Sequence, residues 1–360
     1  MIKPTFSRLW LALTCFTTIA ACGHKRVAVS GPELTTPALA AASLDQPGSL
    51  YFNAAARNAL LAARPDLTAE ADRDPQSPRS RAFAQAVQDP QLFRKLDRES
   101  RFDTLWLVGD PSHFKPLLEH LLTTKDFAVA YLDHTSLILK RGSESSWKLE
   151  ELDRLAGRWK APCDQAYVRA SAALRLLALR ENDQAKGQLE HAESLCPDVA
   201  EVWSGWSTYW MIRGDWDRAL TAANRALAMD SSFVPAIACK TQILYATKKF
   251  REAFDLSETL LETSPDDPGL LFYHAKIAHE AHAYEAEIKT LQRLVSLAEQ
   301  AGASVSGYRI YMGQAYAAAG DGKNAVDQLT EALLDTNLPR EQRAFADELF
   351  IQIKDRVGLQ

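Results

Sequence analysis

The side chains able to do chemistry are few and scattered. Asp103, Asp110 and Asp133, the last followed by His134, stand at the ends of short apolar runs, where an α/β enzyme places carboxylates. Such residues also terminate strands and cap helices, and fold position alone does not make a site. His113 and His120 lie seven apart without a third ligand. His274, His279 and His282 are expected to point inward, into a groove and to a turn, so no metal and no cofactor is expected. Gly320-Asp321-Gly322-Lys323 imitates the end of a phosphate loop, but it lacks the first glycine and carries Asn324 where Ser or Thr would hold the metal. It reads as a turn. No G-x-S-x-G elbow, H-E-x-x-H helix or paired-cysteine zinc spacing occurs.

Thiols are the remaining reactive groups. Cys163 begins an expected helix and Cys196 ends the next, so an antiparallel hairpin brings them to one end. In an oxidising compartment a bridge there closes a loop worth roughly 3 to 4 kcal/mol; the alternative is two unpaired, partly buried thiols. Cys239 is expected in the core. Cys22 follows Ile19-Ala20-Ala21, after Lys3, Arg8 and the apolar run from Leu9 to Ala21. That run is shorter than the roughly 20 residues of a membrane helix and suits a signal peptide over residues 1–21.

Residues Ile19 to Cys22 resemble the lipobox of bacterial lipoproteins. The resemblance implies cleavage before Cys22, acylation of its thiol and a membrane partner reached through lipid; a plain secretory signal with an incidental cysteine is the alternative. Two or more acyl chains hold a protein stably on a bilayer. Gly23 stands where an Asp would retain a lipoprotein at the inner membrane, which implies the outer membrane, facing the periplasm. Residues 22–48, rich in Ala, Pro, Ser and Thr, read as a tether reaching about 28 Å.

The elements that would position these groups come next. Over 49–142, Phe102–Gly109, Phe127–Thr135 and Ser136–Arg141 read as strands, with another near Tyr51. Helices are expected at Ala54–Ala63, Ala82–Leu96 and, as a crossover, Ser112–Lys125. This small α/β domain resembles the soluble tail domain of polytopic membrane sugar transferases, through the strand ending in "LV", PLLEHLL and AYLDHTSLILKR. The chain lacks the membrane-spanning set, so the transferase activity is not implied. Residues 143–163 read as a linker.

From residue 164 to 357 the chain repeats. Ala185, Ala219, Ala253 and Glu287 stand 34 apart, with Ala325 a further 38 on. Trp216, Phe250 and Tyr284 keep the step of 34, as do Ala192, Ala226, Leu260 and Leu294, with Ala332 following. Small residues at helix crossings, an aromatic at the turn and Pro197 or Pro265 near a repeat end form the tetratricopeptide (TPR) pattern. Five repeats follow, at about 166–199, 200–233, 234–267, 268–301 and 306–339, with a capping helix over 339–357. Glycine at the tight helix contact appears only as Gly313; Ala173, Ser207, Thr241 and Ala275 replace it elsewhere. The fold class is mainly α: a TPR α-solenoid of about five helical hairpins plus a capping helix, preceded by a small α/β domain.

The TPR resemblance implies a concave groove lined by first helices, here by Tyr167, Leu174, Glu201, Thr208, Met211, Gln242, Tyr245, Phe272, Lys276, His279, Ile310 and Gln314. It implies a protein or peptide ligand there, although the Lys/Asn clamp of chaperone-binding relatives is not matched. The chain of 360 residues has a formal net charge of -5, and residues 164–357 carry 20 basic against 28 acidic residues. Neither balance offers the basic face that nucleic acid needs. A non-enzymatic, membrane-anchored interaction scaffold of the bacterial envelope is therefore the first expectation. The resemblance to lipoproteins of this architecture implies roles in outer-membrane protein, pilus or secretion assembly. The alternative is an envelope glycan-binding or glycan-processing protein whose α/β domain carries the site.

Overall fold

The structure, a computed structural model, describes residues 44, 49–64, 74, 77–142, 144, 145, 147–300 and 302–357. The expected signal, Cys22 and nearly all of the tether lie outside the described residues. Among those residues the chain forms two compact units, one ending at Cys239 and the other beginning at Lys240. No helix of the described residues is long and apolar enough to cross a membrane.

The first unit opens with a four-stranded sheet. Its strands are β1 (Leu50–Phe52), β2 (Thr104–Val108), β3 (Phe127–Leu132) and β4 (Ser136–Arg141), in the order β1-β2-β4-β3. β1 and β2 run parallel, with Tyr51 opposite Leu105, and β4 is antiparallel to both its neighbours. Every residue of β2 is buried, as expected of a central strand. Asn53 continues the parallel ladder: its side chain accepts from Val108 N at 3.0 Å, donates to Val108 O at 2.8 Å and caps the helix that follows.

Helices α1 (Ala54–Ala63), α2 (Pro78–Ala86), α3 (Pro90–Ser100) and α4 (Lys115–Thr124) belong to this part of the unit. The single helix expected over Ala82–Leu96 is two. Pro90 cannot donate to a preceding turn, and Asp89 instead caps α3, accepting from Gln91 N at 2.9 Å and Leu92 N at 3.3 Å. The crossover begins with a tight turn at Pro111–Phe114 before α4. Tyr51, Phe83, Phe93 and Phe102 form an aromatic core with ring centroids 4.9 to 6.1 Å apart. Full burial of such side chains contributes roughly 1.5 to 3 kcal/mol each.

The linker expected at 143–163 is instead structured. It holds α5 (Leu149–Ala156), whose Leu152 and Ala156 are fully buried and whose Asp153 pairs with the buried Arg169. One hydrophobic cluster runs from Leu44 through the sheet to Ala236, so the sheet and the first hairpins share a core. The apolar Leu152, Leu155 and Ala156 stripe explains why this segment cannot remain a free connector.

The remaining helices form hairpins: α6 (Pro162–Ala178) with α7 (Asn182–Leu195), α8 (Ala200–Arg213) with α9 (Trp216–Met229), and α10 (Val234–Ala246) with α11 (Phe250–Thr263). Next come α12 (Pro268–Glu280) with α13 (Tyr284–Gln300) and α14 (Ser306–Ala318) with α15 (Gly322–Leu333), then α16 (Arg340–Val357). The division between units falls within α10.

Each hairpin turns in the same way. Arg180, Gly214, Lys248, His282 and Gly320 all have positive φ, between 58° and 86°, and they repeat the steps of 34, 34, 34 and 38. The residue after each donates its backbone N–H to the carbonyl five back, from Glu181 to Leu176, Asp215 to Trp210, Lys249 to Leu244, Ala283 to Ala278 and Asp321 to Tyr316. These are Schellman closures, which satisfy the last carbonyls of a first helix and reverse the chain. Trp216, Phe250 and Tyr284 each open a second helix. At the crossings, Ser207 donates to Ala219 O at 3.0 Å, and a Cβ on Gly313 would lie 2.7 Å from Leu329 Cγ. The mainly α, TPR-type hairpin architecture thus follows from repeated turns and repeated close crossings.

Candidate functional site

The three aspartates nominated for chemistry do not converge. Asp103 and Asp110 flank β2, roughly 20 Å apart at strand rise. Asp110 caps the Pro111–Phe114 turn by accepting from Ser112 N at 2.9 Å. Asp133 is fully buried and closes the β3–β4 turn: Oδ1 accepts from Thr135 N and Ser136 N, both at 2.7 Å, and Oδ2 from the Tyr131 hydroxyl at 2.9 Å. Burial and the Asp133 carboxylate push the Tyr131 phenol pKa up. These contacts assign Asp110 and Asp133 to turns, where carboxylates stabilise exposed N–H groups.

Asp110 and Asp133 do share one neighbour that the sequence did not single out. Arg175, on α6, is buried; its guanidinium donates to Gly109 O at 2.7 Å and Ser171 O at 2.9 Å. Burial lowers its pKa, and Asp133 and Asp110 act in the opposite direction. Beside it, the His134 ring meets Trp159 and Tyr167 edge-on, with centroids 5.4 and 5.9 Å apart. The α/β part therefore rests on the first helix of repeat one. Tyr167, expected in an open groove, packs within the molecule, and half-buried Leu174 belongs to the same core.

The other groove positions of the first unit are mixed. Met211 is buried, which corrects its assignment to the ligand surface, while Glu201 and Thr208 are half-buried. Thr208 donates to Ser204 O at 3.1 Å and contacts the Cys239 sulfur at 3.6 Å. Cys239 is buried as expected; burial raises its pKa against hydrogen bonds from Thr208, Ser204 and Ser207. Cys163 and Cys196 are bridged, with their α-carbons 4.9 Å apart, so the hairpin does bring them together.

In the second unit, Gln242 and Ile310 are also buried and leave the set of ligand-facing residues; Ile310 packs with Leu329, Ala346 and Ile353. What remains accessible is aromatic at Tyr245 and Phe272 and polar at Lys276, His279 and Gln314. Tyr245 is half-buried, 5.5 Å from Phe250 and 6.0 Å from Tyr273. Phe272 on α12 meets Tyr308 and Tyr311 of α14 at 6.0 and 5.1 Å, in T-shaped contacts. Tyr311 is 38% exposed, Lys276 is exposed and Gln314 half-buried. Sequence reading missed Tyr308 and Tyr311; their signal was the aromatic pair on the first helix of repeat five.

The histidines fall where the repeat positions placed them, in part. His274 is buried against Ser257 Oγ at 2.7 Å, and burial lowers its pKa to about 4. His282 is exposed at a turn, hydrogen-bonded to the Tyr284 hydroxyl at 2.7 Å. His279 is half-buried and bonded to Glu287 on α13 at 3.0 Å. In the other unit, His120 lies edge-on to Phe93, and burial lowers its pKa. No group of three or more metal-ligating side chains occurs among the described residues. Gly320–Lys323 forms the α14–α15 turn, where Asp321 caps α15 through Asn324 N at 3.1 Å.

No family model matches the sequence, and no curated protein matches it. Among solved structures, the chain is similar to YrrB, described as a TPR protein with an unusual peptide-binding site. The identity is 13%, over 56% of this chain and all of that one, with a TM-score of 0.47. MamA from Desulfovibrio magneticus RS-1 is 19% identical over 47% of this chain and 94% of its own, with a TM-score of 0.41. A thermophilic TPR protein of Thermus thermophilus, TTC0263, is 14% identical over 51% of this chain and 97% of its own, with a TM-score of 0.35.

Proposed function

We propose that the chain is a non-enzymatic docking scaffold that takes a protein or peptide on the first-helix face of its second unit. The observation that supports this reading is the accessible aromatic surface of Tyr245, Phe272, Tyr308 and Tyr311, flanked by Lys276 and Gln314. Aromatic side chains supply large contact area at small conformational cost, and they concentrate at the centres of protein interfaces. In the first unit the corresponding face of repeat one is occupied by the chain's own turn at Gly109–Phe114 and by His134. Repeat one is thereby covered by the chain itself, whereas the aromatic face of the second unit carries no such cover among the described residues.

We further propose that Cys22 carries lipid and holds this scaffold on the envelope membrane, in keeping with the Ile19–Cys22 sequence. A full-length chain crosslinked in membranes should capture a protein partner whose yield falls at least tenfold in Phe272→Ala and Tyr311→Ala, with Cys22→Ser releasing the protein into the soluble fraction. Unchanged capture in both aromatic variants refutes the docking surface. An unmodified cysteine in the mature N-terminal peptide, read by mass spectrometry, refutes the anchor.

A further inference from the structure

One position breaks the rule of the repeats. The helix-crossing column holds Ala185, Ala219, Ala253 and Ala325, all fully buried, but repeat four places Glu287 there, only 3% exposed. A carboxylate has been put where a methyl group packs elsewhere. Its two oxygens lie 3.2 and 3.0 Å from the same atom, Nδ1 of His279, which is the only hydrogen-bond donor to that carboxylate among the described residues. The side chain of His279 is 30% exposed, and its ring rests on Tyr284 at 5.9 Å.

We propose that His279 and Glu287 form a proton-linked latch on the fourth hairpin, holding one proton while α12 and α13 are packed and losing it when the helices part. An isolated buried carboxylate is costly, so the packed hairpin favours an imidazolium beside Glu287, or a protonated Glu287, over a carboxylate facing a neutral ring. Both arrangements carry the same single proton, and the two groups titrate as one unit. Two directions support this: the hydrogen bond to Glu287 raises the His279 pKa, and burial raises that of Glu287.

The surrounding charges do not replace the pair. Glu280, on α12 itself, acts on both partners and favours retention of the proton. Tyr245 of α10 also feels Glu280. His274 faces α11 through Ser257 and stays neutral above pH 6.5, because burial lowers its pKa. His282 sits at the turn, bonded to Tyr284. Among the described residues, α11 and α14 contribute no charged side chain that acts on the pair.

The sign follows from linkage. Folded-state pKa values are raised, so the packed hairpin binds more protons than the open one and loses stability as pH rises above 6.5 through the raised imidazole range. Hydrogen exchange on the full-length protein between pH 6.5 and 9, corrected for the intrinsic rate, reads this directly. The opening constant of amides in α12 and α13 should rise with pH above 6.5, by at most tenfold per pH unit, and level off once the raised imidazole pKa is passed, while amides in α15 and α16 stay flat. Glu287→Ala, which restores the residue of the other columns, and Glu287→Gln, which keeps the shape without the charge, should each abolish the slope. Equal pH profiles in α12–α13 and α15–α16, or a slope surviving in either variant, overturn the latch. The measurement needs no ligand, so it is independent of the docking surface.

Discussion

Two glycines in helix interiors should respond in opposite ways to the same added methyl group. Gly187 lies on the exposed side of α7, and a Cβ there meets nothing within 4 Å. Gly187→Ala should gain only the helix propensity difference, about 0.5 to 1 kcal/mol. Gly313 lies where α14 crosses α15: a Cβ would be 2.7 Å from Leu329 Cγ, 3.0 Å from Leu329 Cδ2 and 3.2 Å from Ala325 O. Leu329 is fully buried, and its Cγ is a branch point that cannot swing aside as a side-chain tip does. Overpacking of this kind costs about 1 to 3 kcal/mol, in the upper part of that range here. Subtracting the propensity gain leaves a net loss of about 1 to 2 kcal/mol for Gly313→Ala.

Urea unfolding separates the two cases, as a shift of midpoint at constant slope. All eight tryptophans precede residue 217, so fluorescence follows the first unit, with Gly187, and far-ultraviolet dichroism is needed for the second, with Gly313. A Gly313→Ala midpoint equal to or above that of the native protein would falsify the claim that close approach fixes this crossing. Gly205 gives a graded intermediate, since its added Cβ would meet the movable Leu189 Cδ2 at 2.5 Å.

The Cys163–Cys196 bridge spans 33 residues, and its reduction should remove about 3 to 4 kcal/mol from the first unit by loop entropy. Thiol mapping on the denatured protein should find Cys239 free but Cys163 and Cys196 not; three free thiols among these positions reject the bridge. Arg175→Met keeps the apolar stem but removes the charged donor to Gly109 O, for an expected loss of about 1.5 to 3 kcal/mol in tryptophan-monitored unfolding. A change within about 0.5 kcal/mol, the ordinary scatter of surface substitutions, would mean that Arg175 does not hold the α/β part on repeat one.

Most of the secondary structure was legible because it rests on local periodicity. The alanine and aromatic columns set the hairpin boundaries, and β4 runs over Ser136–Arg141 as read. The break at Asp89-Pro90 was written in the sequence and was overridden by the apolar pattern around it. The turn column at Arg180, Lys248 and His282 stayed hidden because only Gly214 and Gly320 carry the residue that announces a left-handed backbone. Of the twelve nominated groove residues, Met211, Gln242 and Ile310 are buried and Tyr167 is covered from within. Helical phase says which residues share a face; it does not say what else lies against that face.

By itself, the sequence determined the repeat length, the hairpins and the small residues at their crossings, since each is a matter of spacing along one or two helices. Only the tertiary structure decided that α5 is packed through Arg169, that Arg175 draws the Gly109 turn onto repeat one, and that Glu287 hangs on a single imidazole nitrogen. These contacts join residues whose separation follows no period, and they are selected by burial: a charge removed from water takes whatever partner the folded chain brings within reach.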